Sequence, residues 1–436
     1  MQPMRDRCRT ASAPPNRLAS PSPALTAPSA NTKLRQGPTW DDTTPPPNHW
    51  QEPRTTVAAN GTTRLRAFDQ FIVKLCGRCN LACDYCYVYE LRDTGWRKRP
   101  RVMPAPIRDQ LVARIEEHVF RHRLKRVRVV LHGGEPLLAG ARVITDFTAS
   151  VRQAVTRSGA EVELALQTNG TLLTETVLDL LLDLDVRVGV SLDGHAEAHD
   201  RHRRGRRGRG PDAGSHAVVA TALGRLNGPR HRRIFGGLLC TVDPANDPVS
   251  VFDALAAHHP PAVDFLLPHG TWDNPPPGTS HGRAPYGTWL CSVHDRWQEA
   301  GRPMRVRLFE SVVTLSRHGG GSSSEVLGTV PAAAVAIETD GTIVWTESLN
   351  AVAEGAAHTG GTIFSHSFDD VLRLPGAPDF GMTHLCRTCL ECPLVSICGG
   401  GLRAHRFGRS QGFDNPSVYC GDLFTLIEHI TSRPDQ

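Results

Sequence analysis

The chain has 436 residues, 39% hydrophobic and 21% charged, with a mean hydropathy of -0.29 and a formal net charge of +5. At roughly 150 residues per unit that length allows about three units and a core that needs no covalent staples. No apolar run approaches the ~18 to 20 residues that cross a bilayer, and no apolar stretch of a secretory signal follows the charged start Met1 to Arg7. A transmembrane protein is therefore excluded, and the cytoplasm is the expected location.

The 49 basic residues are nearly balanced by 44 acidic ones, so no nucleic-acid partner is expected. The arginine run from Arg201 to Arg209 reads as a solvated basic loop. Twelve cysteines are another matter. Cytosolic thiols stay reduced, so metal ligation is the leading explanation for them.

Residues 1–65 are proline-rich without sustained periodicity and read as a disordered tail. From Phe68 onward, short aliphatic runs alternate with amphipathic stretches, as repeated βα units require. The runs Phe71 to Leu75, Val127 to Leu131, Val162 to Gln167, Val186 to Leu192, Gly237 to Val242 and Val263 to Leu267 read as parallel strands buried on both faces. Crossover helices are predicted over Pro106 to His122, Ala141 to Arg157, Glu175 to Leu184 and His216 to Leu226. The expected fold is α/β, a partial (β/α)6 TIM-like barrel over residues 66–275, with its chemistry on the loops after the strands. A connector follows over 276–330, Pro-rich at Asn274 to Gly278 and helical from Tyr286 to Ala300. A second unit spans 331–430. It opens with a β-hairpin, Val335 to Glu338 and Thr342 to Trp345 around Thr339-Asp340-Gly341, and closes with a short helix near Asp422 to Ile430.

Directly after the first strand stands Cys79-Asn-Leu-Ala-Cys83-Asp-Tyr-Cys86, a C-x3-C-x2-C spacing. Three thiolates on one loop can hold three irons of a [4Fe-4S] cube and leave the fourth open. A zinc knob completed by Cys76 or a histidine is the competing reading. Three further loops follow in order: His132-Gly-Gly-Glu-Pro136, Gln167-Thr-Asn-Gly170 and Ser191-Leu-Asp-Gly194. With the cysteine triplet, this series resembles the radical S-adenosylmethionine (SAM) superfamily. The resemblance implies that Cys79, Cys83 and Cys86 hold a [4Fe-4S] cluster and that Gly133, Gly134 and Glu135 meet the methionyl amino group of SAM. It also places Tyr85 and Asn169 at the cofactor, Ser191 and Asp193 near its ribose and carboxylate, and adenine on the strand edge Leu239 to Val242.

The C-terminal unit carries Cys386, Cys389, Cys392, Cys398 and Cys420, with three glycines after Cys398. It resembles a SPASM extension, whose pattern C-x2-C-x5-C-x3-C with one later cysteine holds up to two auxiliary [4Fe-4S] clusters. Cys389, Cys392, Cys398 and Cys420 fit that pattern, whereas Leu402 and Thr346 stand where two further cysteines are expected. One auxiliary cluster on Cys389, Cys392, Cys398 and Cys420 is therefore expected and the other is not. A quartet including Cys386 stays open, as does a zinc ribbon. Cys8, Cys240 and Cys291 read as ordinary thiols.

Phe265 to Asp273, Gly399 to His405 and Gly412 to Cys420 resemble the FxsB-type peptide maturases. That resemblance implies a 5'-deoxyadenosyl radical that joins an aromatic ring to the Cβ of a nearby residue in a ribosomally made precursor peptide, forming a cyclophane. An electron donor such as flavodoxin or ferredoxin is the implied partner. Glu347, next to Thr346, falls where related enzymes place an acidic residue and is the candidate base; a solvated hairpin carboxylate is its alternative reading. Asp264 and His269, at the end of the last strand, are candidates to meet the peptide, and the basic loop would lie over the same mouth, where it could attract an acidic leader. A thioether, an epimerised residue or a formylglycine are the other products weighed, and a zinc-stabilised binding protein is the reading from another class.

Overall fold

The computed structural model describes residues 67–206, 214–279, 283–319, 324–330, 333–374 and 384–433. The proline-rich tail, Cys8, Arg207 and Arg209 lie outside them. The barrel segment runs β1 (Gln70–Cys76), α1 (Ala105–His122), β2 (Arg126–Gly133), α2 (Ala141–Arg157), β3 (Glu161–Thr168), α3 (Glu175–Asp183) and β4 (Val186–Ser191). It continues through α4 (Ala196–His202), α5 (His216–Asn227), β5 (Phe235–Thr241), α6 (Pro248–Ala256) and β6 (Ala262–Leu266). All six predicted strands are present, and each forms parallel ladders with its neighbours.

The local chemistry accounts for these elements. In α2, Ile144, Phe147, Val151, Ala154 and Val155 recur every three or four residues and bury one stripe against the sheet. Thr174 caps α3 by accepting from the Val177 N–H, and Asp247 caps α6 by accepting from the Ser250 N–H ahead of Pro248; such caps contribute about 1 kcal/mol each. The strands are not apolar throughout. β2 exposes Arg126 and Arg128, which pair across the ladder with Glu161 and Glu163, exposed pairs that add little stability.

After β6 come α7 (Pro285–Glu299), β7 (Arg305–Val306) and α8 (Arg307–His318). The hairpin follows as β8 (Ala334–Ile337) and β9 (Thr342–Val344), then β10 (His358–Thr362), α9 (Phe368–Val371), α10 (Arg387–Leu390), α11 (Val395–Cys398) and α12 (Cys420–Thr431). The hairpin does not start a separate sheet. β8 pairs in parallel with β1, Gln70 opposite Ala334 through Val73 opposite Ile337. The result is one ten-stranded sheet in the order β10-β9-β8-β1-β2-β3-β4-β5-β6-β7. Eight of its strands are parallel, and β7 and β10 are its two ends, so the barrel is left open. The consequence for the site is direct: the C-terminal unit delivers its side chains beside β1 and the loop that follows it.

Candidate active site

The loop after β1 carries Cys79, Cys83 and Cys86. Every cysteine among the described residues is free. Burial raises all three thiols, Cys79 to about 11 and Cys83 to about 12; Cys86 further raises Cys79, and Cys86 and Cys79 together further raise Cys83, so the three lie close to one another. Donors point at the sulfurs: the Leu81 N–H lies 3.4 Å and Asn169 Nδ2 3.7 Å from Cys79 Sγ, and the Val88 and Tyr89 N–H groups bond Cys86. Cys76 belongs instead to the end of β1 and is 2% exposed.

This loop is clasped by the arginine run, which corrects the expectation of a solvated basic loop for residues 201–206. The Ala82 N–H donates to Arg204 O and the Arg206 N–H to Asn80 O, while Arg206 Nε reaches Leu81 O at 3.0 Å. Arg201 pairs with Asp243 and Arg206 with Glu90. Within the run, Arg203 is buried and grips Asp193 with two bonds, Nε to Oδ2 at 2.8 Å and Nη2 to Oδ1 at 3.3 Å. Asp193 also accepts from the Tyr85 hydroxyl and from the Thr241 N–H. Burial opposes its ionisation, yet Arg203 and these bonds hold its carboxyl below the usual carboxylate range. Arg203, which sequence reasoning left inside a basic run, thus joins the predicted pair Tyr85 and Asp193 in one cluster. Gln167 Nε2 meanwhile donates to Ser191 Oγ at 3.1 Å.

The glycine pair serves the loop itself. A Cβ on Gly134 would lie 2.2 Å from the Tyr89 hydroxyl and 2.5 Å from Arg78 O, so glycine here permits the approach of the thiol loop. Glu135 is fully buried, and its oxygens accept from the Leu137 N–H, Thr168 Oγ1 and the Asn169 N–H, tying the end of β2 to that of β3. Burial pushes its carboxyl up to about 7 against these bonds. Asn169 in turn donates to Asn80 Oδ1 at 2.9 Å. At the strand edge Leu239 to Val242, the Thr241 N–H goes to Asp193 and the Val242 N–H to Leu266 O.

Glu347 is not solvated. It is 6% exposed, directly after β9, with Lys74 Nζ 2.7 Å from Oε1 and the Tyr87 hydroxyl 3.3 Å from Oε2. Lys74 also pairs with Glu338, which pairs with Arg99, so two buried carboxylates face two cations. His132 stands 3.6 Å from Glu347, lowered to about 4 by burial and by Lys74, and is therefore neutral. The signal for this network was a lysine inside the apolar run of β1, which a buried strand tolerates only when it is paired. Asp264, by contrast, is bound to Arg307 and ties β6 to α8.

Three distant stretches converge beside Tyr87. The His269 ring meets the Tyr87 ring edge-on at 4.2 Å, and His269 Nδ1 lies 3.4 Å from Nε2 of the fully buried His405. Trp272 donates through its N–H to Phe407 O and through Nε1 to Pro416 O, and the Tyr419 hydroxyl donates to Pro268 O. The C-terminal thiols gather behind this unit. Cys389 shares a hydrogen bond with Cys386 and interacts with Cys398 and Cys420, while Cys420 interacts with Cys392. Cys386 thus stands with the four predicted ligands. Gly399, Gly400 and Gly401 take φ of 64°, 83° and 71°, which turns the Gly400 and Gly401 N–H groups onto Cys398. A Cβ at Gly399 would lie 1.8 Å from Gly328 O.

Residues 73–213 match the model of the radical SAM superfamily. That segment is a radical SAM domain. The chain is 22% identical over 394 residues to the serine-type anaerobic sulfatase-maturating enzyme of Bacteroides thetaiotaomicron, covering 82% of this chain and 88% of that protein. It is also 22% identical to the cysteine-type enzyme of Clostridium novyi, covering 85% and 96%. Among solved structures, the sulfatase-maturating enzyme anSMEcpe with bound AdoMet superposes with a TM-score of 0.70 at 19% identity, over 83% of this chain and 96% of that one. SuiB of Streptococcus suis, bound to its precursor peptide SuiA, gives 0.52 at 13% identity, over 81% and 76%. The radical SAM core implies a [4Fe-4S] cluster and SAM, and the residues present fit them: free thiols in one loop, with N–H donors aimed at sulfur, are what iron–sulfur ligation requires.

Proposed function

We propose that this chain matures a ribosomally made peptide by joining an aromatic ring to the Cβ of a nearby residue. The observation that carries this reading is the convergence at Tyr87. The stretches Phe265 to Asp273, Gly399 to His405 and Gly412 to Cys420, which bear the cyclophane-type resemblance, pack on one another beside the residue that follows Cys86. Cys79, Cys83 and Cys86 would hold the cluster at which SAM binds, and Tyr85, Asn169, Ser191 and Asp193 would line that cofactor. When bound, this pair supplies a 5'-deoxyadenosyl radical able to take a hydrogen atom from a peptide Cβ.

The remaining work falls to the chain's own groups. Once the peptide carbon adds to a neighbouring ring, that ring regains aromaticity by losing one electron and one proton. Glu347 takes the proton: Lys74 favours its carboxylate form, and Tyr87 orients the oxygen opposite. Cys389, Cys392, Cys398 and Cys420 would hold one auxiliary [4Fe-4S] cluster, with no iron open, and such a cluster would supply an acceptor for the electron. Burial of the network around Glu347 keeps water from the carbon radical. A flavodoxin or ferredoxin would supply the initiating electron, in a reducing cytoplasm.

The test is anaerobic co-production with whatever short peptides the neighbouring reading frames prove to encode. The expected product has lost two hydrogens, resists fragmentation between the joined residues and does not react with a hydrazide. The similarity to sulfatase maturases over nearly their whole length favours formylglycine as the second reading. An aldehyde at a serine or cysteine would establish that reading and overturn the first.

A further inference from the structure

A buried cation stands beside the C-terminal thiols. Arg406 closes the short 3-10 turn Arg403–Arg406 and is 6% exposed. Its Nε is enclosed and finds no hydrogen-bond partner among the described residues. Its carbonyl oxygen accepts from Asn415 Nδ2 at 3.1 Å, which fixes the backbone but does nothing for the guanidinium. A guanidinium withdrawn from water is costly unless something anionic offsets it.

The surroundings of that guanidinium are largely sulfur. A Cβ on Gly400 would lie 3.3 Å from Arg406 Nη1, so the guanidinium rests against the residue whose N–H is turned onto Cys398. Its charge acts on Cys389, Cys386 and Cys398, and on one carboxylate, Asp414, which is exposed to water. Arg203, beside the first thiol loop, is placed differently, because Asp193 takes both of its prongs. Thiols that stay neutral offer Arg406 nothing to offset its burial, whereas a cluster held by four thiolates is an anion.

We infer that Arg406 is the cation that sets the reduction potential of the auxiliary cluster. The inference rests on the reading of Cys389, Cys392, Cys398 and Cys420 as [4Fe-4S] ligands. One-electron reduction adds a negative charge to a cluster that is already anionic, and net charge is one of the quantities that fix its potential. A positive charge held nearby, in a site where water screens it poorly, favours the reduced form. Arg406 therefore raises the potential and makes the centre a better acceptor for the one electron that the product ring gives up, while the proton lost with it goes to Glu347. Arg406 acts through the cluster and not on the peptide.

The test uses the full-length chain, reconstituted anaerobically with iron and sulfide, carrying C79A, C83A and C86A so that the first thiol loop holds no cluster. In that background Arg406→Gln removes the charge and Arg406→Lys keeps it. Potentiometric titration followed by electron paramagnetic resonance reads the midpoint of the remaining cluster. R406Q should lie lower than the parent by about 59 mV or more, a tenfold fall in the ratio of reduced to oxidised cluster at a fixed potential. R406K should stay close to the parent, and all three chains should hold the same iron. An equal midpoint in R406Q and the parent overturns the inference and leaves the cluster reading standing. Loss of iron from both variants makes Arg406 a structural residue and overturns it as well. Loss from R406Q alone, with R406K at the parent midpoint, supports it, because charge is what separates the two. If the parent background holds no iron–sulfur cluster, the reading of the four thiols fails and the inference falls with it.

Discussion

Glu135 offers a measurement of how the barrel treats charge. Its carboxyl is fully buried and is raised from 4.5 to about 7 by burial, which outweighs the three donors on its oxygens. A folded-state value above the unfolded one means that the folded protein holds the proton more tightly. The contribution to stability is therefore complete below the unfolded value and is lost as pH rises through about 7. At 1.36 kcal/mol per unit, the loss between about pH 5 and about pH 8 is roughly 2.5 kcal/mol. Glu135→Gln removes the titration. Its amide group would also face the Asn169 N–H, a cost of about 1 to 3 kcal/mol that does not vary with pH. Urea unfolding of the anaerobic, SAM-free enzyme and of the variant gives the difference at each pH, in which contributions of other groups cancel. That difference should shift by about 2.5 kcal/mol in favour of the glutamine variant across this range. A flat difference, or a shift of the opposite sign, would show that the donors outweigh burial and that Glu135 is ionised in the fold. Saturating SAM adds a second comparison: an ammonium meeting Glu135 would hold the carboxylate ionised and flatten the profile.

Arg203→Met should strand Asp193 and destabilise the fold by about 3 to 5 kcal/mol, and Arg203→Lys should weaken equilibrium SAM binding because an ammonium cannot make the two-pronged contact. Glu347→Gln should leave SAM cleavage intact and lower cross-linked product by about 10²- to 10⁴-fold, read by mass spectrometry of the peptide. Cys79→Ala should abolish SAM cleavage. Cys420→Ala should keep much of that cleavage while losing the iron of the C-terminal thiols and stopping product formation, as iron analysis and product assays on the same preparation would show.

What could be read before the structure follows from how local each signal is. Strands such as Val186–Ser191 announce themselves through the buried β-branched residues Val186, Val188 and Val190, even with Arg187 exposed between them, and the loops that end them carry their motifs in sequence. The pairing of Gln70 with Ala334 has no such signature, since a register between segments so far apart leaves no periodicity in either one. Lys74 was visible as a cation in a buried run, but its partners Glu338 and Glu347 arrive on another unit of the chain. Arg203 was hidden for the opposite reason. Among similar neighbours nothing marks which arginine turns inward, and only the position of Asp193 decides it. The helix Arg307–His318 had its apolar stripe at Leu308, Phe309, Val312 and Leu315 in plain view, within a segment read only as a connector.

The contacts around the thiol loop bear on how it acquires iron. Ordering a residue costs roughly 1 to 2 kcal/mol in backbone entropy, so ordering the stretch from Cys79 to Cys86 on its own would cost about 8 to 16 kcal/mol. Here much of that ordering comes from the protein. Arg206 holds Leu81 O, Arg204 O receives the Ala82 N–H, Asn80 bonds both Thr171 and Asn169, and Arg78 anchors the loop's start to four carbonyls. None of these bonds involves a thiol. They leave the sulfurs free for metal while restricting the loop that presents them, so the affinity for iron is spent on coordination rather than on folding the loop. The arginine run that first suggested a solvated surface is, in residues 201–206, part of the scaffold on which the three thiols are displayed.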